Sequence, residues 1–366
     1  MTNISSRLLH QPKVLATYHK LLDVIKELRG DEKLPTAAAL RTQLGVSLET
    51  LNLALRELEH HHLIYSVRGV GIYVTPRRRT CLLVDPLLFH AEDMSPFWQV
   101  LVDLIREHAA ARNEEFMFRF AHPTGFKGEL LPHDVQQEIE GGSVTGVLGV
   151  GISQEISNWL EERISLVTFA SHSKYNVGLN AKSIILQAID ELAGLGCCDI
   201  AFWRPYSSYR HASIHSVGDR DLDIFTDALQ IHKLEFMPSL TNSQTSLLFY
   251  KGSLAKSEQG YNIAYEVFGK EGHKLPDGIF IGDDMMTVGV LKAFKEMDVK
   301  VGKDVRVVSH GNKGTNILPL DEELTVFEFD PWEIAYAMFS MLNELFQGHI
   351  PVSRNLEIMA KMRILA

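Results

Sequence analysis

From residue 81 onward the chain repeats one pattern, a short and almost unbroken apolar run followed by an amphipathic helical stretch. The pairs are 81–84 with 96–112, 116–120 with 134–140, 144–150 with 154–161, 166–169 with 181–195, and 200–203 with 222–231. Runs 247–250 and 278–281 follow, with helices 256–268 and 287–297, then strands 305–309 and 324–329 and a last helix over 331–346. Strands that are apolar throughout, rather than alternately, have both faces covered. With helices between them they form parallel sheets, an α/β class. Nearly 290 residues of this pattern exceed one comfortable sheet, so two doubly wound lobes are expected. Ligands of such sheets sit beyond the carboxyl ends of the strands.

Ahead of this body the pattern differs. Residues 14–29 place Val14, Leu15, Tyr18, Leu21, Leu22, Ile25 and Leu28 on one helical face, ended by Gly30. Pro35 and Thr36 then stop and cap, Ala37 to Leu44 is a short helix, and Gly45 supplies the positive φ that closes it. Ser47 caps a second helix whose Leu51, Ala54, Leu55 and Leu58 form one buried stripe, leaving Leu48, Glu49, Asn52 and Arg56 outside. Residues 65–74 read as two apolar runs around a glycine turn, a β-hairpin. Helix, turn, helix and hairpin make a winged helix-turn-helix, which puts one helix end into a DNA major groove with the hairpin along the backbone. Thr36, Arg41, Ser47, Thr50 and Arg68, with Gly69 at the hairpin tip, are the expected phosphate contacts, and Leu48, Asn52 and Arg56 the expected readers of bases.

Charge divides along the same line. Residues 1–80 hold 12 Lys and Arg against 7 Asp and Glu, a balance of +5, whereas the whole chain carries −10. A basic head on an acidic body suits a head that meets a polyanion. The boundary is drawn at 1–76 for the head, 77–80 for a basic linker and 81–366 for the body. Within the body, the first lobe is expected over about 81–179 and 330–348, and the second over about 180–329 and 349–366. Arg77, Arg78 and Arg79 read equally as a solvated linker or as phosphate contacts.

Other classes find little support. No apolar run is long enough for a membrane span, and residues 1–13 lack the apolar core of a secretory signal, so a cytoplasmic protein is expected. Cys81, Cys197 and Cys198 cannot build a disulfide framework, and Cys197-Cys198 lacks the spacer of a zinc knuckle. Consecutive helical residues point about 100° apart, so His60, His61 and His62 cannot share one ion. The run 141–146 lacks the endings of a phosphate loop and of a nucleophile elbow, and reads as a turn. No catalytic set, metal or cofactor is expected. A solute-binding protein and an enzyme with a fused DNA-binding head stay as alternatives.

For a small-molecule cleft the candidates lie at strand ends and helix starts: Ser95, Phe97, Trp98, His172, Trp203, Arg204, Tyr206, Arg220, Asp283, His310, Asn312 and Trp332. Aromatics beside hydrogen-bonding groups suit a small polar ligand. Each aromatic taken alone also reads as core, whereas Arg220 and His310 are poor core residues without partners.

Two resemblances overlay this reading. Leu34-Pro35-Thr36, Gly45-Val46-Ser47, Ala54 to Leu58 and Gly69-Val70-Gly71 resemble the GntR-type winged helix across residues 14–75. Residues 81–366 resemble the effector domain of LacI-type repressors, a type I periplasmic-binding-protein fold, most specifically over 281–312, where Asp284 and Gly289 match the family's aspartate and helix glycine. The stretches 192–202 and 330–337 match in shape. The combination is similar to arabinose-repressor-type hybrid regulators. It implies a homodimeric repressor on a two-fold DNA operator, answering to a small effector such as a sugar or sugar derivative bound between the lobes. Two positions depart from that pattern. Asp221 stands where the family has a sugar-gripping arginine, with Arg220 one residue earlier, and Ser309-His310-Gly311-Asn312 replaces Gly-Phe-Asp-Asp. The resemblance therefore does not carry over an ordinary hexose or pentose.

Overall fold

The computed structural model describes residues 12–28, 30–60, 63–75, 78–89, 94–112, 114–123, 128–205, 215–240, 255–269, 274–319 and 323–365. In the head, helix α1 (Pro12–Glu27) buries Val14, Tyr18, Leu21 and Ile25. Thr36 caps α2 (Ala37–Leu44) by accepting the amide of Ala39 at 3.3 Å, and Gly45 closes it at φ 66°. Ser47 accepts the amide of Thr50 at 3.2 Å ahead of α3 (Leu48–His60), which buries the expected Leu51, Ala54, Leu55 and Leu58. Strands β1 (Ile64–Val67) and β2 (Gly71–Val74) pair antiparallel around Arg68, Gly69 and Val70.

The body holds two sheets. The first has six strands in the order β12-β7-β6-β5-β3-β4, built from β3 (Arg79–Val84), β4 (Glu115–Phe120), β5 (Gly146–Val150), β6 (Ser165–Phe169), β7 (Asn176–Leu179) and β12 (Asn355–Ile358). Its pairings are all parallel. The second has the order β13-β11-β10-β9-β8, from β8 (Ile200–Trp203), β9 (Gly278–Ile281), β10 (Arg306–Asn312), β11 (Leu324–Phe329) and β13 (Lys361–Leu365), with only β13 antiparallel. Helices α4 (Pro96–Ala111), α5 (His133–Glu140) and α6 (Gln154–Glu161) connect strands of the first sheet. Helix α7 (Ala181–Gly194) leads to the second, which carries α8 (His215–Ile231), α9 (Lys256–Phe268) and α10 (Asp284–Glu296), and α11 (Pro331–Phe346) returns to the first.

One expected boundary is corrected. Residues 349–366 do not all belong to the second lobe, because β12 pairs in parallel with β7 of the first sheet, Asn355 opposite Asn176, and only β13 joins the second. Four-residue edge strands carry no pattern that names their sheet, since the partner is chosen by where the preceding helix delivers the chain. The expected strand at 247–250 lies outside the described residues. Strands β7, β12 and β13 went unforeseen because polar residues or glycine interrupt their apolar runs, unlike the equally short β8 and β9. Among the described residues, no helix is long and apolar enough to cross a membrane.

Helices α9 and α10 approach through glycine. A Cβ on Gly289 would lie 1.7 Å from the carbonyl oxygen of Ser257, and one on Gly260 2.1 Å from that of Met286. Both obstacles are backbone, which a rotamer change cannot move. We expect Gly289→Ala to destabilise the protein by about 1–3 kcal/mol through forced helix separation. Thermal unfolding of the variant checks this, and an unchanged midpoint contradicts the close contact.

Candidate functional site

Thr36, Arg41, Ser47, Leu48, Asn52, Arg56, Arg68 and Gly69 are all exposed, and Thr50 is half-buried. Leu48, 48% exposed, opens α3 at its positive dipole end, with Asn52 and Arg56 following at four-residue steps on the outer face. An exposed leucine there is available for apolar contact, as with a thymine methyl. The hydroxyls of Ser47 and Thr50 lie 2.8 Å apart and hold each other. The sequence reading missed Leu53 of α3, and Val67 and Val70 at the hairpin tip, all exposed. Tyr65 stacks on Tyr73 at 5.5 Å and its hydroxyl donates to Asp31 at 2.8 Å, which ties the base of the hairpin to the loop after α1.

The second constellation gathers at the carboxyl ends of β8, β9 and β10. Arg204, just past β8, pairs with Asp221 of α8 at 3.4 Å. Gly282 packs beside it, since a Cβ there would be 3.6 Å from that of Arg204. Asp283 caps α10, one oxygen accepting the amide of Met286 at 3.0 Å and the other the Lys256 ammonium at 2.9 Å. Asp284 is buried and accepts the amide of Asn312 at 2.9 Å. Thr287 and Ser309 share a hydrogen bond of 2.7 Å beneath them. The imidazole of His310 leans on Phe329 at 5.4 Å, and its Nδ1 is buried with no hydrogen-bond partner among the described residues. Among the described residues this imidazole nitrogen is the open polar valence of the cluster, and such a group is costly unless a ligand or water meets it.

Of the twelve cleft candidates, the structure brings Arg204, Asp283, His310 and Asn312 together. It adds Lys256 and Thr287, which sequence reasoning missed, and Asp221, Asp284 and Ser309, which it named only through the family resemblance and left out of the cleft. The adjacent acids after an apolar run were the available signal for Asp284. Lys256 had none, because its approach to Asp283 depends on how α9 packs against α10. Ser95 caps α4 by accepting the amide of Phe97 at 3.3 Å. Trp98 is half-buried and packs on Phe97 and Phe169, and His172 is exposed in the turn after β6.

Four placements correct the expectation. Trp203 is fully buried, its indole N–H donating to the carbonyl of Leu240 at 2.8 Å, so it is core. Phe97 is buried against Phe169 in the first sheet's core. Both follow the core reading of a lone aromatic. Trp332 is 48% exposed, stacked on Tyr336 at 5.1 Å and beside His108 of α4, on an outer face of α11. Arg220 is exposed, and the side chain that reaches the cluster is Asp221, one helical position on. Tyr206 lies outside the described residues.

Comparison with known proteins follows this division. The profile of the gntR family of bacterial regulatory proteins matches residues 14–74, and that of the periplasmic binding protein-like domain matches residues 189–363. The mannosyl-D-glycerate transport/metabolism system repressor MngR of Escherichia coli (strain K12) is 37% identical over 67 residues, 17% of this chain and 28% of that protein. The chain thus matches little more than a quarter of that relative's length. A regulatory protein of the LacI family from Chloroflexus aggregans superposes with a TM-score of 0.61 at 15% identity, over 78% of this chain and 97% of that one. A LacI family transcriptional regulator from Arthrobacter sp. FB24, solved in complex with lactose, gives 0.57 at 17% identity, over 79% and 99%. The body has the LacI-regulator fold.

Burial, and then the neighbouring charge of Asp283, push the pKa of Asp284 up, against the opposing pull of His310, Asn312 and Lys256. A carboxyl raised on folding costs nothing below its unfolded value of about 4 and progressively destabilises as pH rises through its folded value. We expect Asp284→Asn, which keeps an acceptor for Asn312, to raise the unfolding midpoint at pH 7, the gain shrinking towards pH 4. Midpoints measured across that range check it, and a lower midpoint at pH 7 contradicts the burial argument.

Proposed function

We propose that this chain, in which a gntR-type winged helix is joined to a periplasmic-binding-protein-like body, is a DNA-binding transcription regulator controlled by a small polar effector. The observation that carries this reading is the exposed outer face of α3, where Leu48, Asn52 and Arg56 stand open, together with an exposed hairpin tip bearing Arg68. Such a face offers a base-reading amide, a guanidinium and an apolar contact on one helix end, and the polyanion whose groove admits a helix end is double-stranded DNA. Repression is the sign suggested by the name of the relative in Escherichia coli. The lactose in the solved neighbour supports a sugar or sugar derivative as the class of effector. The cluster of Arg204, Asp283, His310 and Asn312 is its proposed seat, with Trp98 and His172 as candidates on the first sheet.

The mechanism is a population shift. The effector bridges the strand ends of the two sheets and favours one lobe arrangement, which alters the placement of two heads in a homodimer on a two-fold operator. A coupling of about 1–3 kcal/mol is typical of such linkage. No reaction is proposed, and the protein acts by binding.

Operator DNA selected from a random pool by the full chain tests the head. We expect Asn52→Ala to lose about 1–3 kcal/mol at one base pair of the selected site, because an amide reads adenine bidentately, while Arg41→Ala weakens all sequences alike. Equal loss on every sequence for the Asn52 variant removes it from the readers. A thermal-shift screen of sugars, sugar acids, polyols and nucleosides tests the body, since a binder raises the midpoint by mass action. We expect His310→Ala to abolish the shift given by the best compound without loss of operator binding. A retained shift places the pocket elsewhere.

A further inference from the structure

The join between head and body is short and both its ends are held. Thr75, the last described residue of the head, donates its amide to the carbonyl of Leu63 at 3.1 Å. Arg78, three positions on, is already part of the body: its carbonyl accepts the amide of Glu115 at 2.8 Å. Three virtual bonds of 3.8 Å span at most about 11 Å, so the head has little slack. The Arg78 side chain is committed as well. Its guanidinium donates to Asn343 of α11 at 2.8 Å and lies over the ring of Phe346 at 4.5 Å. Phe346 is seated in turn on Gly146 at the start of β5, where a Cβ would come within 2.5 Å of its ring. Arg79 pairs with Glu115 and exchanges hydrogen bonds with Thr145. Neither arginine is therefore a loose linker residue, nor free to hold a phosphate as the sequence left open.

We propose that Arg78, gripped by Asn343 and Phe346, is a positioning residue that fixes where the DNA-reading head leaves the body and so sets the half-site spacing a dimer accepts. This rests on the regulator reading above. The magnitudes make the link. Loss of the side-chain grip leaves Arg78 held by a single backbone bond, its carbonyl on the amide of Glu115, and fraying of that bond back to the next anchor at Arg79 adds one virtual bond, about 3.8 Å of reach. One base-pair step along DNA is about 3.4 Å. Loss of the grip thus admits spacings one step away in each half of the dimer. Burial works against the guanidinium's charge and pulls its pKa down, the nearby Glu114 offsets part of that, and the grip itself is the hydrogen bond to Asn343 and the face of Phe346.

The test is selection of DNA from a random pool by the full chain, followed by sequencing of the bound sites. Wild type, Arg78→Ala, Asn343→Ala and a chain with three residues inserted between Pro76 and Arg77 are compared. We expect one half-site sequence throughout. Wild type should prefer one spacing over its one-step neighbours by on the order of tenfold, the magnitude of about 1.4 kcal/mol. That preference should fall to threefold or less in both point variants and in the insertion. Asn343→Ala leaves the arginine in place, so a folding defect peculiar to Arg78→Ala does not decide the outcome. An unchanged single spacing in both point variants overturns the proposal. So does a uniform loss of affinity without change of spacing, which marks Arg78 as a phosphate contact. Single half-sites without fixed spacing in the wild type overturn it while leaving DNA reading intact. Enrichment of no sequence at all sinks the regulator reading and this proposal together.

Discussion

Two parallel sheets have to be covered on both faces, and here each takes part of its cover from a helix that the chain brings over from the other. Helix α7 leaves the first sheet after β7 and packs on β9 and β10 of the second. Helix α11 leaves the second after β11 and packs on β5, β6 and β7 of the first. One continuous apolar cluster results, running from Leu148 and Val167 through Ile185, Ile189 and Leu192 to Phe280, Val308 and Phe327. Parallel strands exposed on one face leave a large apolar area in water, so neither sheet is a stable unit without its borrowed roof. The placement of the strand ends of both sheets follows from this exchange.

That arrangement gives the polar groups at the ends of β8 to β10 their character. Their ion pairs sit at the edge of the core, with the side chains of Asp283 and Lys256 only 14% and 22% exposed, where solvent screens them less than surface pairs. Asp284 is deeper and is tolerated through the amide of Asn312 and the nearby ammonium of Lys256. A site so nearly self-satisfied suits a ligand that exchanges hydrogen bonds rather than one bringing net charge. The unpartnered Nδ1 of His310 marks the place where such an exchange has something to gain.

Much of this was legible in the chain. The buried stripe of α3, the caps at Thr36 and Ser47 and the turn at Gly45 are local features, decided within one or two helical turns, and they appear where the spacing put them. The alternation of apolar runs and amphipathic stretches announced two doubly wound sheets for the same reason. The site was legible only in part. His310, Asn312, Asp283 and Arg204 lie where strands end or helices begin, positions that sequence can name, but Trp203 and Phe97 lie at such positions too and point into the core.

Sequence alone determined the helices and strands of the head, most of those of the body, their class and the charge contrast between a basic head and an acidic body, because periodicity, capping and charge act over a few residues. Only the tertiary structure decided that β12 and β13 part company between the sheets, that Asp221 rather than Arg220 meets Arg204, and that Arg78 belongs to α11. Each of those outcomes joins residues far apart in the chain or turns on which helix face is turned inward. Such choices are settled by burial and by the pairing of buried polar groups, which no local pattern of residues encodes.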